Sequence, residues 1–244
     1  MKINRIILLS IFLIVSTIGI ILFAKNRKLT DDRFVTYEIS LKEHELKFYF
    51  KDEKQRNFKS ILNLKQWLEK KNKKLTFAMN GGMYMPDNSP QGLFIENGNL
   101  IKEIDTSSGT GNFYLKPNGI FYVTTNQEPK ICRTENFKHN KNVLFATQSG
   151  PMLLIDGQIH NVFKKGSVNL NIRNGVGILP NNQVVFAMSK KEINFYDFAK
   201  YFQSLGCKNA LYLDGLVSRT YLPEKNWNQV DGNFGVIIGA TIDN

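Results

Sequence analysis

The stretch Arg173-Asn174-Gly175-Val176-Gly177-Ile178-Leu179-Pro180-Asn181-Asn182-Gln183-Val184-Val185-Phe186-Ala187-Met188 decides the fold class. Two apolar runs rich in β-branched residues, Gly175–Leu179 and Val184–Met188, flank a proline-asparagine turn and predict a β-hairpin. A helix follows at Ile193–Leu205, opened by Asn194 with Asp197 three residues later and closed by Gly206. Ala210–Leu213 then predicts another strand. Gly235–Ile242 is a further strand, too apolar to lie at a solvated edge.

Upstream the same texture continues. Phe34–Ser40 and Leu46–Phe50 predict strands, and Ile61, Leu64 and Leu68 recur at helical spacing in a helix running to Lys71. From Leu75 to Val123 come short apolar runs, Leu75–Met79, Gly92–Glu96, Phe113–Leu115 and Gly119–Val123, with an Asn97-Gly98 hairpin signal. Many strands and two helices predict an α+β fold: a single domain at 29–244 with a mixed, largely antiparallel β-sheet packed by a few helices. Residues 1–28 are set apart, because Ile6–Ala24 is a 19-residue apolar run with charges on both sides. That length suits a membrane-spanning signal anchor or a signal peptide, and Leu22-Phe23-Ala24 is a poor cleavage site.

Lys+Arg 32 against Asp+Glu 21 gives a formal charge of +11, but the excess is local. Five cations flank the apolar segment, and Lys51–Lys74 holds nine basic and three acidic residues. A solvated helix face accounts for that run, and it lacks the spread footprint of a nucleic-acid binder. Cys132 and Cys207 are 75 residues apart and His44, His139 and His160 are scattered, so no metal site and no cofactor are expected. The cysteines suit buried thiols and a disulfide equally.

Four polar and glycine clusters sit at the ends of predicted strands. Asn80-Gly81-Gly82-Met83-Tyr84 combines an amide, a close-approach turn and a phenol. Gln148-Ser149-Gly150-Pro151 precedes an apolar run, and Arg173-Asn174 places a guanidinium, a fork suited to phosphate, at a strand start. Asp214-Gly215, followed by Ser218, ends a buried strand with a carboxylate, which is costly without partners or a function. Ser107-Ser108-Gly109-Thr110-Gly111 imitates a phosphate cradle but has no helix behind it.

In order and spacing these clusters resemble the phosphodiester glycosidase domain family over roughly residues 75 to 242. The resemblance rests on Asn80-Gly81-Gly82-x-Tyr84, Lys116-Pro117-Asn118-Gly119-Ile120-Phe121, Ser149-Gly150-Pro151-x-Leu153, Arg173-x-Gly175-x-Gly177 and Leu213-Asp214-Gly215-x-x-Ser218. Leu216 and Val217 stand where the mammalian-type pattern has glycines, which implies a different loop shape.

The resemblance implies a hydrolase that cleaves a sugar-1-phosphodiester between the anomeric carbon and the phosphate oxygen. Its substrate would be a cell-envelope or exopolysaccharide-type glycan, met at the membrane or outside the cytoplasm. Asp214 and Arg173 would be catalytic. Asn80, Gly81, Gly82, Tyr84, Gln148, Ser149, Gly150, Asn174, Gly215 and Ser218 would bind substrate, and Asp105, Glu96 or Asp231 could supply a second carboxylate. The competing expectation is a non-catalytic envelope module that holds phosphosugar or peptidoglycan fragments with the same residues.

Overall fold

The computed structural model describes residues 31–215 and 217–243. In chain order its strands are β1 (Phe34–Ile39), β2 (Leu46–Tyr49), β3 (Lys73–Asn80), β4 (Phe94–Glu96), β5 (Asn99–Lys102), β6 (Gly119–Thr124), β7 (Pro129–Arg133) and β8 (Val143–Ser149). They continue with β9 (Met152–Ile155), β10 (Gln158–Ile159), β11 (Asn174–Ile178), β12 (Val184–Ser189), β13 (Ala210–Asp214), β14 (Thr220–Leu222), β15 (Trp227–Asn228) and β16 (Ile237–Asp243). Helix α1 (Ile61–Glu69) follows β2, and α2 (Phe195–Ser204) follows β12.

These strands form three sheets where the sequence suggested one. Their orders are β1-β12-β11-β13-β9-β10, β15-β14-β3-β16-β2 and β5-β4-β8-β6-β7. Every ladder among the described strands is antiparallel. Short connections explain this: Asn97 and Gly98, with φ of 50° and 77°, close the β4–β5 hairpin, and Pro180–Asn182 close β11–β12. The apolar β16 lies between β3 and β2 inside the second sheet and not at its edge, as its composition requires.

One core joins the three sheets. Phe186 of the first sheet packs at a tilt on Phe77 of the second (ring centroids 5.0 Å) and edge-on to Phe121 of the third (5.9 Å), and Phe48 of the second meets Phe121 at 5.5 Å. Each such ring contributes about 2–3 kcal/mol by leaving water. Helix α2 covers the outer face of the first sheet with Phe198, Ala199 and Phe202, its first turn capped by the Asn194 side chain accepting from Asp197 N. Helix α1 covers the second with Ile61, Leu64 and Leu68, capped by Ser60. Both helices end one or two residues before the sequence reading placed them. Phe113–Leu115 forms no strand, because Asn112–Tyr114 makes a single 3-10 turn.

The basic run around α1 is partly paired locally: Arg56 with Asp52 at 2.6 Å, Lys65 with Glu69 at 2.5 Å, and Lys71 with Glu53. Cys132 and Cys207 are free thiols, and burial pushes them up to about 11 and about 12. The expected membrane segment Ile6–Ala24 lies outside the described residues. Among the described residues no helix is long and apolar enough to cross a membrane.

Candidate active site

All three sheets bring a strand end to Asp214. It is the last residue of β13 and pairs in register with Asn174, the first of β11. Asn174 is wholly buried and acts as a staple: its Nδ2 donates to Asn80 O (3.1 Å) and Asn80 Oδ1 (2.8 Å), and its Oδ1 accepts from Asp214 N (2.8 Å). Asn80, the last residue of β3, donates from Nδ2 to Asp214 Oδ2 at 3.3 Å. The third sheet arrives through Ser149 at the end of β8, whose Oγ donates to Leu213 O at 2.8 Å. Buried amides and carboxylates are tolerable only when satisfied, and here they satisfy one another across the junction.

The loop after β13 returns to the same network. Gly215 N donates to Asp214 Oδ1 at 2.6 Å, and Ser218 Oγ reaches Asp214 O and Ile172 O, both at 3.1 Å. Arg219 N donates to Asn80 Oδ1 at 2.9 Å, and Arg219 Nε pairs with Asp231 Oδ1 at 2.8 Å. A methyl group at Gly215 would overlap the Tyr212 hydroxyl, so only glycine lets the strand turn there. Gly81 is closed in by Ile238 and Val236, and its carbonyl accepts from Thr147 Oγ1 at 2.8 Å. Tyr84 is half-buried; burial, then the neighbouring Asp214 charge, raises its phenol pKa, so it is a protonated donor at neutral pH.

Two expected site residues spend their side chains elsewhere. Gln148 Oε1 accepts from Leu93 N and Asp105 N, both at 2.9 Å, and its Nε2 donates to Asp105 O at 2.6 Å. It therefore staples the Asp105 loop to β8. Arg173 is 0% exposed. Its Nε donates to Ile193 O (2.8 Å), Nη1 to Tyr212 Oη (3.2 Å) and Nη2 to Asn169 O and Oδ1 (3.0 Å each), with the guanidinium 3.7 Å from the centre of the Phe195 ring. Its buried charge is met by carbonyl oxygens, the Tyr212 hydroxyl and the Phe195 and Tyr212 rings, and burial holds its pKa below the usual value. Gly150 abuts Asn118 Cβ, which fixes the strand entrance and leaves no room for a side chain.

Tyr212 is a site residue that the motifs did not single out. It shares a strand face with Asp214 two residues on, and its hydroxyl accepts from Arg173 beside Gly215. Period-two spacing before a functional carboxylate is the signal that would have found it.

The three candidate second carboxylates differ in position. Asp105 is held at the Ser149 end of β8 by Gln148, and hydrogen bonds from Ser107 lower its pKa. Asp231 is paired with Arg219, which lowers its pKa too. Glu96 is elsewhere: Ile95 pairs with Ala146, which places Glu96 about four residues, roughly 13 Å, along the strand from Ser149. It faces a depression with Lys47, Tyr49, Trp67 and Lys71, and burial raises its pKa to about 7.

Glu96 therefore gives stability a pH dependence. Between its unfolded value near ~4.3 and about 7, the unfolded chain releases a proton that the folded chain keeps, so stability falls as pH rises through that window. Thermal melts of E96Q are expected to exceed those of the wild type near neutral and alkaline pH and to coincide with them below the window. Equal melts throughout would mean that Glu96 is solvated.

The profile of a family described as phosphodiester glycosidase matches residues 73–237. An uncharacterised protein of Escherichia coli K12, YigE, is 43% identical over 146 residues, which are 59% of this chain and 57% of that protein. The chain thus spans little more than half of that relative's length. The catalytic domain of zebrafish N-acetylglucosamine-1-phosphodiester alpha-N-acetylglucosaminidase, auto-inhibited by its pro-peptide, superposes with a TM-score of 0.54 at 12% identity, covering 85% of this chain and 87% of that one. A Burkholderia pseudomallei K96243 protein described as exported gives 0.57 at 9% identity, over 85% and 73%. These two likenesses show a shared fold.

Proposed function

The chain belongs to the phosphodiester glycosidase family, and from that premise we propose that it hydrolyses a sugar-1-phosphodiester between the anomeric carbon and the phosphate oxygen. The observation that carries the reading is the Asp214 carboxylate where three sheets meet, its oxygens fixed by Asn80 Nδ2 and Gly215 N and its backbone N–H held by Asn174 Oδ1. Water adds to the anomeric carbon, the bond from that carbon to oxygen breaks, and the phosphomonoester leaves with the electron pair. A phosphomonoester has a second pKa near ~6, so its departure needs little help from a general acid. The demand falls on the sugar side, where positive charge develops as the bond breaks. Asp214 meets that demand as nucleophile, base or oxocarbenium stabiliser.

The phosphate side needs donors and positive potential. Tyr84, whose phenol feels the Asp214 charge, is the donor at hand, whereas the Gly81 and Gly215 N–H groups are already given to Val236 O and Asp214 Oδ1. Arg173 acts from behind the site, since its fork is committed and the Tyr212 hydroxyl lies at its tip. The proposed substrate is a cell-envelope or exopolysaccharide-type glycan. Residues 1–28 serve as signal anchor or signal peptide and 29–244 as a domain outside the cytoplasm, a reading that the exported relative supports.

The distal alcohol of the phosphodiester stays on phosphorus in this reaction. Rates across sugar-1-phosphodiesters whose distal alcohols differ in acidity are therefore expected to be nearly flat, within about threefold. A steep dependence would mean that the bond from phosphorus to that alcohol is the one breaking.

A further inference from the structure

We propose that the loop 161–172 seats the active-site end of the domain on an anionic lipid surface, and that the phosphodiester taken there has a lipid as its distal group. The substrate part rests on the reaction proposed above; the membrane contact does not.

The loop is unlike the rest of the surface. Val162, Val168, Leu170 and Ile172 are exposed, Val168 by 93%, and they make up four of the nine large exposed hydrophobics among the described residues. Clustered aliphatics of this kind mark an interaction surface. Lys164 and Lys165 stand in the same loop, and Asn171 pairs with Ile193 (N–H to O distances of 3.3 and 2.8 Å), which brings in the segment carrying exposed Lys190 and Lys191. With Arg33, whose carbonyl accepts from Lys190 N at 2.8 Å, these cations outnumber the local carboxylates Asp31, Asp32 and Glu192. An apolar tip with a basic flank is the pattern of an interfacial segment on anionic lipid.

The loop also belongs to the site. Ile172 O accepts from Ser218 Oγ, and Asn169 accepts from the Arg173 guanidinium. The entry of the chain into the domain is at the same end: Phe34 pairs with Ser189, Ser189 N donates to Arg173 O, and the neighbouring Asn174 pairs with Asp214. Three strand spacings, roughly 14 Å, thus separate the start of β1 from the catalytic strand end. Residues 25–33 join the apolar segment Ile6–Ala24 to that point and can reach at most about 32 Å.

The test uses the full-length chain in nanodiscs of phosphatidylcholine, with and without phosphatidylglycerol, carrying brominated acyl chains. V168W places an indole at the loop tip, and I101W, on exposed β5 of the third sheet, is the control. After subtraction of the parent's emission, the V168W indole is expected to be quenched at least about twofold more than the control, and more strongly with phosphatidylglycerol. Equal quenching of the two overturns the contact. A second arm compares V168S/L170S with wild type on a lipid-linked sugar phosphodiester in vesicles and on its water-soluble methyl ester. The expected loss is about tenfold on the vesicle substrate and none on the soluble one. Equal loss on both would make the loop merely structural. Hydrolysis of neither by the wild type would end the proposed reaction, while the quenching result still decides the contact.

Discussion

D214N is expected to lower kcat/KM toward a sugar-1-phosphodiester by about 10³-fold, because the proposed reaction loses the negative charge facing the developing oxocarbenium ion while the shape remains. The protein stays folded, at a modest cost. Gly215 N needs an acceptor on one side of residue 214, so the new amide nitrogen would face Asn80 Nδ2, donor against donor. Asn80 cannot relieve this by flipping, since its Oδ1 accepts from Asn174 and Arg219. One unmade buried hydrogen bond costs about 1–2 kcal/mol and should lower Tm by roughly 3–6 °C. Kinetics and a thermal melt on the same preparation check both parts. A non-catalytic binding module would behave differently, with ligand affinity changing little. Near wild-type turnover in D214N would remove Asp214 from the chemistry.

R173K should damage stability and turnover together. One ammonium cannot span Ile193 O, the Tyr212 hydroxyl and Asn169, which the guanidinium bridges with three nitrogens. Stripped of the fork, the buried charge and the abandoned acceptors cost about 3 kcal/mol, or roughly 6–12 °C in Tm. Activity falls because the Tyr212 hydroxyl and the loop through Asn169 lose their common anchor. A melt unchanged from wild type would show that the fork is dispensable for packing. Wild-type turnover would show that the anchoring of the Tyr212 hydroxyl and the Asn169 loop by the fork is not needed for the reaction.

Local order was readable wherever a residue's conformation is set by its neighbours in sequence. Asn97-Gly98, the Asn194 cap and the Gly206 stop (φ 83°) each have a local cause and each appeared. The division into three sheets had no such cause, because it depends on which strands face each other across the Phe77, Phe121 and Phe186 core. The site divides along the same line. Asn80, Asn174, Asp214 and Ser218 stood out by type and position, and they meet although Asn80 is 134 residues from Asp214. Sequence gives an inventory of donors and acceptors but not their partners. Gln148 and Arg173 have side chains that suit a ligand, yet main-chain groups and Tyr212 take them. Glu96 looked equivalent to Asp105 in sequence, and only strand register separates them.

Hydrolysis in ¹⁸O-labelled water tests the central claim most directly, because it reports which bond the enzyme breaks. Attack at the anomeric carbon puts the label on the released sugar and leaves the phosphomonoester unlabelled, which is the expected result. Label in the phosphomonoester would place the attack on phosphorus, and the glycosidase reading of the Asp214 site would be wrong.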